Sequence, residues 1–239
     1  MFAATALSGA VGQAQAGQLQ IMPTRLGLTT AMPSTVLYAT NPDASDTTYQ
    51  LSVFRWSQNP DGTDRLDPTR DVLANPAIFT VKHADQQIIR FGLRTASLPI
   101  EGSYRVILQE LPRSAPEVNG IKTLLRISIP LFVPAAQPTT TMRWALRPTA
   151  AGATLIARNG GSVHVQITAV QIAADSMSKP PIATAKGNFY ALPGITREID
   201  VHAASPFVAG TTYHVRIDTD QGPMTADLRA DPGAAPPAS

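Results

Sequence analysis

Short apolar runs, rich in Val, Ile, Thr, Leu and Tyr, alternate with turn residues along most of the chain. Pro and Gly, with 21 and 16 residues, interrupt these runs at short intervals, and helical periodicity is nearly absent. Short strands between frequent turns are typical of β-sandwiches and not of alternating strands and helices. The pattern predicts an all-β protein with strands at Thr35–Thr40, Tyr49–Trp56, Ala77–Val81, Gln87–Leu93, Tyr104–Leu111, Lys122–Val133, Thr154–Arg158, Val163–Ile172, Arg197–Val201 and Thr212–Asp218.

One predicted strand, Lys122–Val133, carries an unusually long apolar row. Its sequence is KTLLRISIPLFV, and alternate residues from Leu125 to Val133 are all apolar, with Ile121 just before them. Alternate residues of a strand line one face of a sheet. Periodicity alone favours a long core strand, and an exposed apolar edge is the alternative.

A linker divides the chain into two segments of sandwich size. Residues 133–141 read VPAAQPTTT, in which Pro134 and Pro138 cannot donate ladder hydrogen bonds and the small side chains bury little surface. We therefore expect a first domain over residues 17–136, a second over residues 137–230, and a disordered tail over residues 231–239.

Residues 1–16, MFAATALSGAVGQAQA, predict export. They are small and apolar and end in Ala14-Gln15-Ala16, which is the small-x-small pattern that signal peptidase cleaves. Because no basic residue opens the segment, we interpret it as the remnant of a signal peptide whose start lies upstream. The alternative is a disordered or strand-forming N-terminus.

Composition excludes several classes of function. With 44% hydrophobic and 15% charged residues, the chain is expected to have a packed core. The net charge is only +2 and no basic run is present, so nucleic acid is not expected as a partner. No apolar stretch is long enough for a membrane-spanning helix, so membrane insertion is not expected. The absence of cysteine excludes disulfides and thiolate metal sites.

The four histidines, His83, His164, His202 and His214, form no catalytic or metal-binding pattern. None belongs to an HxxxH or HxH pair, and only His202 and His214 lie near carboxylates in the sequence. Polar or capping roles are the better interpretation. We therefore predict no enzyme activity, no metal and no cofactor, with a metal hydrolase on a sandwich scaffold as the alternative.

Three arginines lie where anion binding is a reasonable hypothesis. Arg25 has no carboxylate within several residues, and Arg105 and Arg126 lie inside predicted strands. Each alone is more typical of a protein surface. Together they suggest capture of a carboxylate, which a guanidinium grips with two parallel hydrogen bonds.

The order and spacing of several segments resemble the PapD-like periplasmic chaperones of the chaperone–usher pathway. EGSYRV and RISIPLFV are most similar to the spore-coat-U or archaic branch of that family. No single motif is decisive, and the resemblance depends on their succession along nearly the whole chain. The segments are Pro23-Thr24-Arg25, YQLSVFRW (49–56), NPAIFTV (75–81), QQIIRFGL (86–93), EGSYRVILQELP (101–112), RISIPLFV (126–133), RNGGSVHVQI (158–167), YALPG (190–194) and TDQG (219–222).

The resemblance implies two immunoglobulin-like β-sandwich domains that stabilise pilin or spore-coat-U-like subunits in the periplasm and deliver them to an outer-membrane usher. The strand over residues 122–133 would complete the subunit's fold by β-augmentation, through Ile121, Leu125, Ile127 and Ile129. The alternative is an exported two-domain adhesin or structural surface protein. An adhesin would pair and cover this strand, whereas a chaperone would leave it as an open edge.

The resemblance also implies a site for the subunit's C-terminal carboxylate, which the family holds with a basic pair between the domains. Arg25 matches the first member of this pair. The usual lysine aligns with Pro130, so Arg105 or Arg126 would supply the second. Glu101 matches the family's interdomain glutamate, whose usual arginine partner has no evident counterpart here.

Overall fold

The computed structural model describes residues 18–59, 62–94, 98–112, 123–177 and 180–234. Across these residues it contains strands and turns but no helix, which confirms the predicted all-β class. It follows that none of them forms a helix suited to crossing a membrane. The strands are β1 Gln20–Met22, β2 Leu26–Gly27, β3 Ser34–Thr40, β4 Thr47–Gln58, β5 Asp64–Pro68, β6 Val72–Asn75, β7 Ile78–Val81, β8 Gln86–Leu93, β9 Gly102–Glu110, β10 Arg126–Val133, β11 Met142–Thr149, β12 Gly152–Asn159, β13 Val165–Ala173, β14 Ala183–Ala191, β15 Thr196–His202, β16 Thr212–Thr219 and β17 Gly222–Arg229.

Strands β1 to β10 form the first sandwich. One sheet has the order β1-β3-β8-β6, and the other has the order β2-β10-β9-β4-β5 with β7 also paired to β4. Alternate side chains point between the two sheets, as the two-residue period of a strand requires. Leu37 and Ala39 of β3 and Val106 and Leu108 of β9 are fully buried there. This core fixes the position of β10 at one side of its sheet.

Strands β11 to β17 form the second sandwich, with sheet orders β11-β12-β15 and β14-β13-β16-β17. A register shift between Ile167 and Ala169 interrupts β13. Because an extra residue turns the following side chains to the other face, the buried set changes there from Val165 and Ile167 to Val170 and Ile172. The two sandwiches agree with the fold class that the resemblance implied.

Residues 134–141 connect the two sandwiches and are held by both of them. Ala136 N donates to Leu98 O of the first domain at 2.8 Å, and Ser162 N of the second donates to Thr139 O at 2.9 Å. Gly161 lies so close that an added Cβ would stand 2.3 Å from Thr139 O. Only glycine fits at this position, so the linker lies flat against the second domain.

Some sequence predictions fall partly or wholly outside the described residues. The cleavage pattern at residues 14–16 and the donor residue Ile121 are among them. Of the predicted tail, residues 231–234 are described and form a turn, in which Asp231 N donates to Leu146 O at 3.0 Å. That part of the tail therefore packs on the second domain.

A small apolar cluster joins the two domains. Trp56 and Phe132 come from the first domain and Tyr190 and Leu192 from the second, each 3–5% exposed. The Gln58 side chain bridges the same boundary, since its Nε2 donates to Tyr190 O at 3.0 Å and its Oε1 accepts from Leu192 N at 3.1 Å. The packed rings and the two hydrogen bonds of Gln58 fix the angle between the two sandwiches.

Candidate functional site

The edge of the second sheet of the first domain is open along half of β10. On one side β10 pairs with β9 over its full length. On the other side β2 pairs with it only at Leu131 and Phe132. Within the described ranges no strand lies against residues 126–130 on that side. An unpaired strand edge is a template for another strand.

Hydrogen bonds near the two ends of β10 show which backbone groups face this open side. At one end, Glu110 N of β9 donates to Leu125 O at 2.8 Å. At the other end, Phe132 O accepts from Leu28 N, next to β2, at 3.0 Å. Because backbone groups alternate in direction along a strand, odd residues of β10 bond to β9 and even residues face the open side.

The groups that point outward are therefore defined by the sequence. Arg126 and Ser128 each present an N–H and a C=O to the open side. Pro130 adds neither group, because proline has no N–H and the parallel register places its C=O opposite the Leu26 N–H of β2. The edge thus offers two donors and two acceptors before β2 closes it.

The predicted donor residues of β10 differ in how deeply they are buried. Ile129 is 1% exposed and packs in the core of its own domain, so its side chain is not offered to a partner. Leu125 and Ile127 are half-buried at the rim of that core. The strand begins at Arg126, later than the sequence predicted, although Leu125 is still fixed to β9 through Glu110.

Arg25 lies immediately before β2, at the closed end of the open edge. Its Nη1 donates to Asp220 Oδ2 at 2.9 Å, and its Nη2 lies 3.0 Å from His164 Nε2. Its guanidinium carbon is 5.2 Å from the centroid of the Phe132 ring. Arg25 therefore does have a carboxylate partner, supplied by the second domain, but its side chain remains 43% exposed.

Arg105 lies on β9 beside the same interdomain cluster. Its guanidinium carbon stands 3.6 Å from the centroid of Trp56 and 5.3 Å from that of Tyr190. Burial lowers the pKa of Arg105 from its ordinary value, and Asp64, 3.7 Å away, opposes that change. With 14% of its side chain exposed, Arg105 is a cation held by aromatic rings and by one distant carboxylate.

Arg126 lies apart from the other two arginines. It is exposed at the start of β10, opposite Gln109. It lies four positions before Pro130, which is opposite Arg105, and this spacing corresponds to about 13 Å along a strand. The structure thus brings Arg25 and Arg105 to the domain boundary and leaves Arg126 outside it.

Glu101 also lies at the boundary, where its partner is a histidine. Glu101 Oε1 accepts from the backbone N of His164 at 3.2 Å and lies 2.7 Å from its Nδ1. Both side chains are 5% exposed. Glu101 therefore pairs across the boundary with a histidine of the second domain.

His164 and Asp220 are site residues that the sequence reasoning missed. They lie in segments 158–167 and 219–222 of the resemblance, but no local pattern marks them as partners. Their contacts with Glu101 and Arg25 span 63 and 195 residues. Burial acts to raise the pKa of Asp220, but hydrogen bonds from His164, the Gln166 backbone and Arg25 lower it to about 2.

The arrangement is suited to binding a strand together with an anion. Across the described part of the chain, no three His, Cys, Asp or Glu side chains converge as a metal site would require. At its closed end the open backbone edge reaches the guanidinium of Arg25, which lies over the Phe132 ring.

Comparisons with known proteins give a family. The model for the N-terminal domain of PapD, described as a pili and flagellar-assembly chaperone, matches residues 18–141. No curated protein matches the sequence.

Solved structures share the fold at low sequence identity. The Acinetobacter baumannii CsuC–CsuE chaperone–tip subunit complex of archaic Csu pili matches with 19% identity and a TM-score of 0.63, over 88% of this chain and 98% of that one. The Salmonella enterica SafB chaperone with its SafA pilin matches with 17% identity and a TM-score of 0.62, over 90% and 99%. The Pseudomonas aeruginosa CupB2 chaperone matches with 16% identity and a TM-score of 0.57, over 89% and 100%.

Proposed function

We propose that this chain, which belongs to the family of pili and flagellar-assembly chaperones, binds an incomplete pilin subunit in the periplasm. Strand β10 would pair with the subunit as its missing strand. The chaperone would then deliver the subunit to an outer-membrane usher. The chaperone role in pilus assembly follows from the family, whose members are not enzymes. The donor strand, the periplasmic location and the usher are the parts that we add. A chaperone bound to its own subunit is what the CsuC–CsuE and SafB–SafA structures contain.

The observation that carries the proposal is the open side of β10 beside a half-buried apolar rim. Leu125 and Ile127 already cover the end of their own core, so a subunit placed against β10 would extend that core without a break. Burying a large apolar side chain contributes about 1.5–3 kcal/mol. The same open edge argues against the adhesin alternative, in which this strand would be covered.

The position of Arg25 sets the direction of the added strand. β2 runs parallel to β10 and begins opposite Leu131, directly after Arg25. A subunit strand on residues 126–130 would therefore lie in line with β2. If its last carboxylate meets Arg25, the strand must also run parallel to β10. The subunit's C-terminus would then end where the chaperone's own β2 begins.

Arg25 and Arg105 are the pair that we assign to this carboxylate. Both lie beside the aromatic rings at the domain boundary. Burial raises the pKa of the Tyr190 hydroxyl, and both cations oppose that rise. Arg105 is opposite Pro130, the residue that stands where the resemblance expects a lysine. The guanidinium of the neighbouring strand thus replaces the missing ammonium. Arg126 is too far along β10 to take part.

Affinity measurements with a pilin subunit from the same bacterium test this assignment. Arg25→Ala and Arg105→Ala should each weaken binding by about ten- to a hundredfold, because a charge-assisted hydrogen bond is worth roughly 1.5–3 kcal/mol. Arg25→Lys should restore only part of the loss, since an ammonium lacks the two-pronged geometry.

Arg126→Ala is the matched control, as it removes a guanidinium from the same sheet without touching the boundary. Thermal melts of each free variant separate lost binding from lost folding. Equal losses for Arg126→Ala and Arg25→Ala would contradict the assignment, and so would unchanged affinity after Arg25→Ala.

A further inference from the structure

His164 connects the two domains directly at the proposed anchor. It lies just before β13 and is 4% exposed. Its ring stacks on Phe132 of the first domain, with centroids 3.7 Å apart and planes inclined by 9°. One ring nitrogen faces Glu101 and the other faces Arg25. The imidazole is thus stacked on one face and has a partner at each nitrogen.

Glu101 fixes the proton on Nδ1. An ionised carboxylate only accepts hydrogen bonds, and Glu101 Oε1 lies 2.7 Å from Nδ1. In the neutral ring Nε2 then carries only a lone pair. Arg25 Nη2, at 3.0 Å, donates to that lone pair. The tautomer set by the first domain therefore holds the guanidinium of the anchor in place.

A second proton on the ring changes this partnership. A protonated Nε2 is a donor, and the guanidinium of Arg25 has no acceptor to offer it. The nearby acceptor is Asp220 Oδ2, which lies 3.4 Å from Nε2. The same oxygen accepts from Arg25 Nη1 at 2.9 Å. The cationic ring therefore stops holding Arg25 and also competes with it for Asp220.

We propose that His164 is a proton-linked positioning residue for Arg25: the neutral ring holds the guanidinium at the domain boundary, and the cationic ring takes over Asp220 so that Arg25 turns to a carboxylate at the end of the added strand. This inference rests on the proposed function, because the carboxylate is that of the bound subunit.

The charges around His164 determine the sign of the effect. Two carboxylates, Glu101 and Asp220, face the ring together with one guanidinium, Arg25, while Phe132 is uncharged and the Tyr190 ring lies 5.8 Å away. Burial acts to lower the pKa of His164, but hydrogen bonds to Asp220 and Glu101 raise it above its ordinary value, against the repulsion of Arg25.

A carboxylate bound to Arg25 adds a negative charge and weakens that repulsion, so it raises the pKa of His164 further. Binding then takes up a proton. By linkage, affinity must increase as the pH falls through the titration of His164. Asp220, with its pKa lowered to about 2, stays ionised over that range. A terminal carboxyl, with an ordinary pKa of about 3.5, is ionised as well.

The first test needs no ligand. NMR of the histidine ring protons follows the titration of His164 in the full chain, with the signal assigned by its loss in His164→Gln. Arg25→Ala removes the repelling guanidinium and should move the midpoint to higher pH by roughly half a unit or more. An unchanged midpoint would show that Arg25 and His164 are not coupled, and the inference would fall.

The second test uses a synthetic peptide of alternating valine and threonine with a free C-terminal carboxylate, and the same peptide as the amide. The affinity of the wild type for the acid peptide should rise roughly tenfold between about pH 8 and about pH 6. The amide should show no such rise, and neither should His164→Gln with the acid peptide. His214→Gln, which changes a half-buried histidine on β16 away from the domain boundary, should keep the rise.

The outcomes separate the two proposals. If Arg25→Ala binds the acid peptide as tightly as the wild type, the anchor of the proposed function is wrong. If Arg25→Ala loses binding but His164→Gln keeps the full pH dependence, the anchor stands and the role of His164 is overturned.

Discussion

Each domain contains the same turn held by a buried asparagine, here called the corner. The domains differ in how the edges of their last strands are protected from pairing with another strand. A fully buried asparagine stands at the same place in each, Asn41 and Asn159. Each donates two hydrogen bonds from Nδ2 to backbone carbonyls and accepts one at Oδ1 from a backbone N–H. The partners are Ser45, Val81 and Asp43 for Asn41, and Val163, Ala191 and Gly161 for Asn159, at 2.8–3.0 Å.

The last strands, β10 and β17, depart from this likeness. In β17 the outward residues include Pro223, Asp227 and Arg229, and Asp227 pairs with His214 at 2.6 Å. Charges and proline on an edge oppose the addition of another strand. In β10 the open side carries one charge, Arg126, next to an isoleucine-rich row. The same scaffold therefore gives a closed edge or a receptive one according to the residues of a single strand.

The largest effect is expected from a variant that gives β10 an edge proline, as β17 has in Pro223. Ser128→Pro removes an N–H that points to the open side and places a ring where the added strand would lie. We expect the affinity for a pilin subunit to fall by about a hundredfold or more. The free protein should melt almost unchanged, because residue 128 does not bond to β9 and Pro130 is already accommodated two residues later.

Ser128→Ala is the control for this variant, since it removes the hydroxyl and keeps the backbone N–H. It should bind like the wild type in the same titration. Normal capture by Ser128→Pro would mean that the subunit does not pair with this edge.

The difference between central and edge strands also explains what the sequence could predict of the fold. All ten predicted strands are present, with shifted ends. The strands that were missed, β1, β2, β5, β6, β11, β14 and β17, each lie at the end of a sheet. An edge strand has one neighbour and often one half-covered face, so it can be as polar as β14, ATAKGNFYA, and show no alternation.

Only part of the candidate site carries a signal in the sequence. Arg25 was singled out because no carboxylate lies near it in the sequence, and Arg105 and Arg126 because they lie inside predicted strands, whereas Glu101 came from the resemblance alone. His164 was not found, since its partners come from distant parts of the chain and a lone histidine is usually structural. The burial of Ile129 could not be read from periodicity, which does not tell how far along β10 the domain's own core extends.

The shared corner itself can be tested with Asn41→Ala and Asn159→Ala. Each change removes three hydrogen bonds of a fully buried side chain, two to backbone carbonyls and one from a backbone N–H, which should lower the free energy of unfolding by about 2–4 kcal/mol. Denaturant unfolding measures the loss. Asn188→Ala, at an exposed position of β14, should cost far less. A small loss at only one of the two buried sites would show that the corners are not equivalent.

The smallest expected effect concerns the turn that closes each corner. Ala84 N donates to Asn41 O, and Gly194 N donates to Asn159 O, so the two residues hold the same place. Both have left-handed backbone angles, with φ of 55° for Ala84 and 78° for Gly194. This conformation costs a residue with a Cβ roughly 1 kcal/mol, and glycine avoids the cost.

Gly194→Ala should therefore destabilise the protein by about 1 kcal/mol, and the cost should come from the backbone alone, because no atom lies within 4 Å of the added Cβ. Ala84→Gly should stabilise it by about 0.5 kcal/mol, since relief of strain is partly offset by the greater freedom of glycine in the unfolded chain. The sites are in different domains, so the two effects should add in the double variant. Denaturant midpoints of the three variants measure these changes, and effects of the same sign at both positions would contradict the equivalence of the two turns.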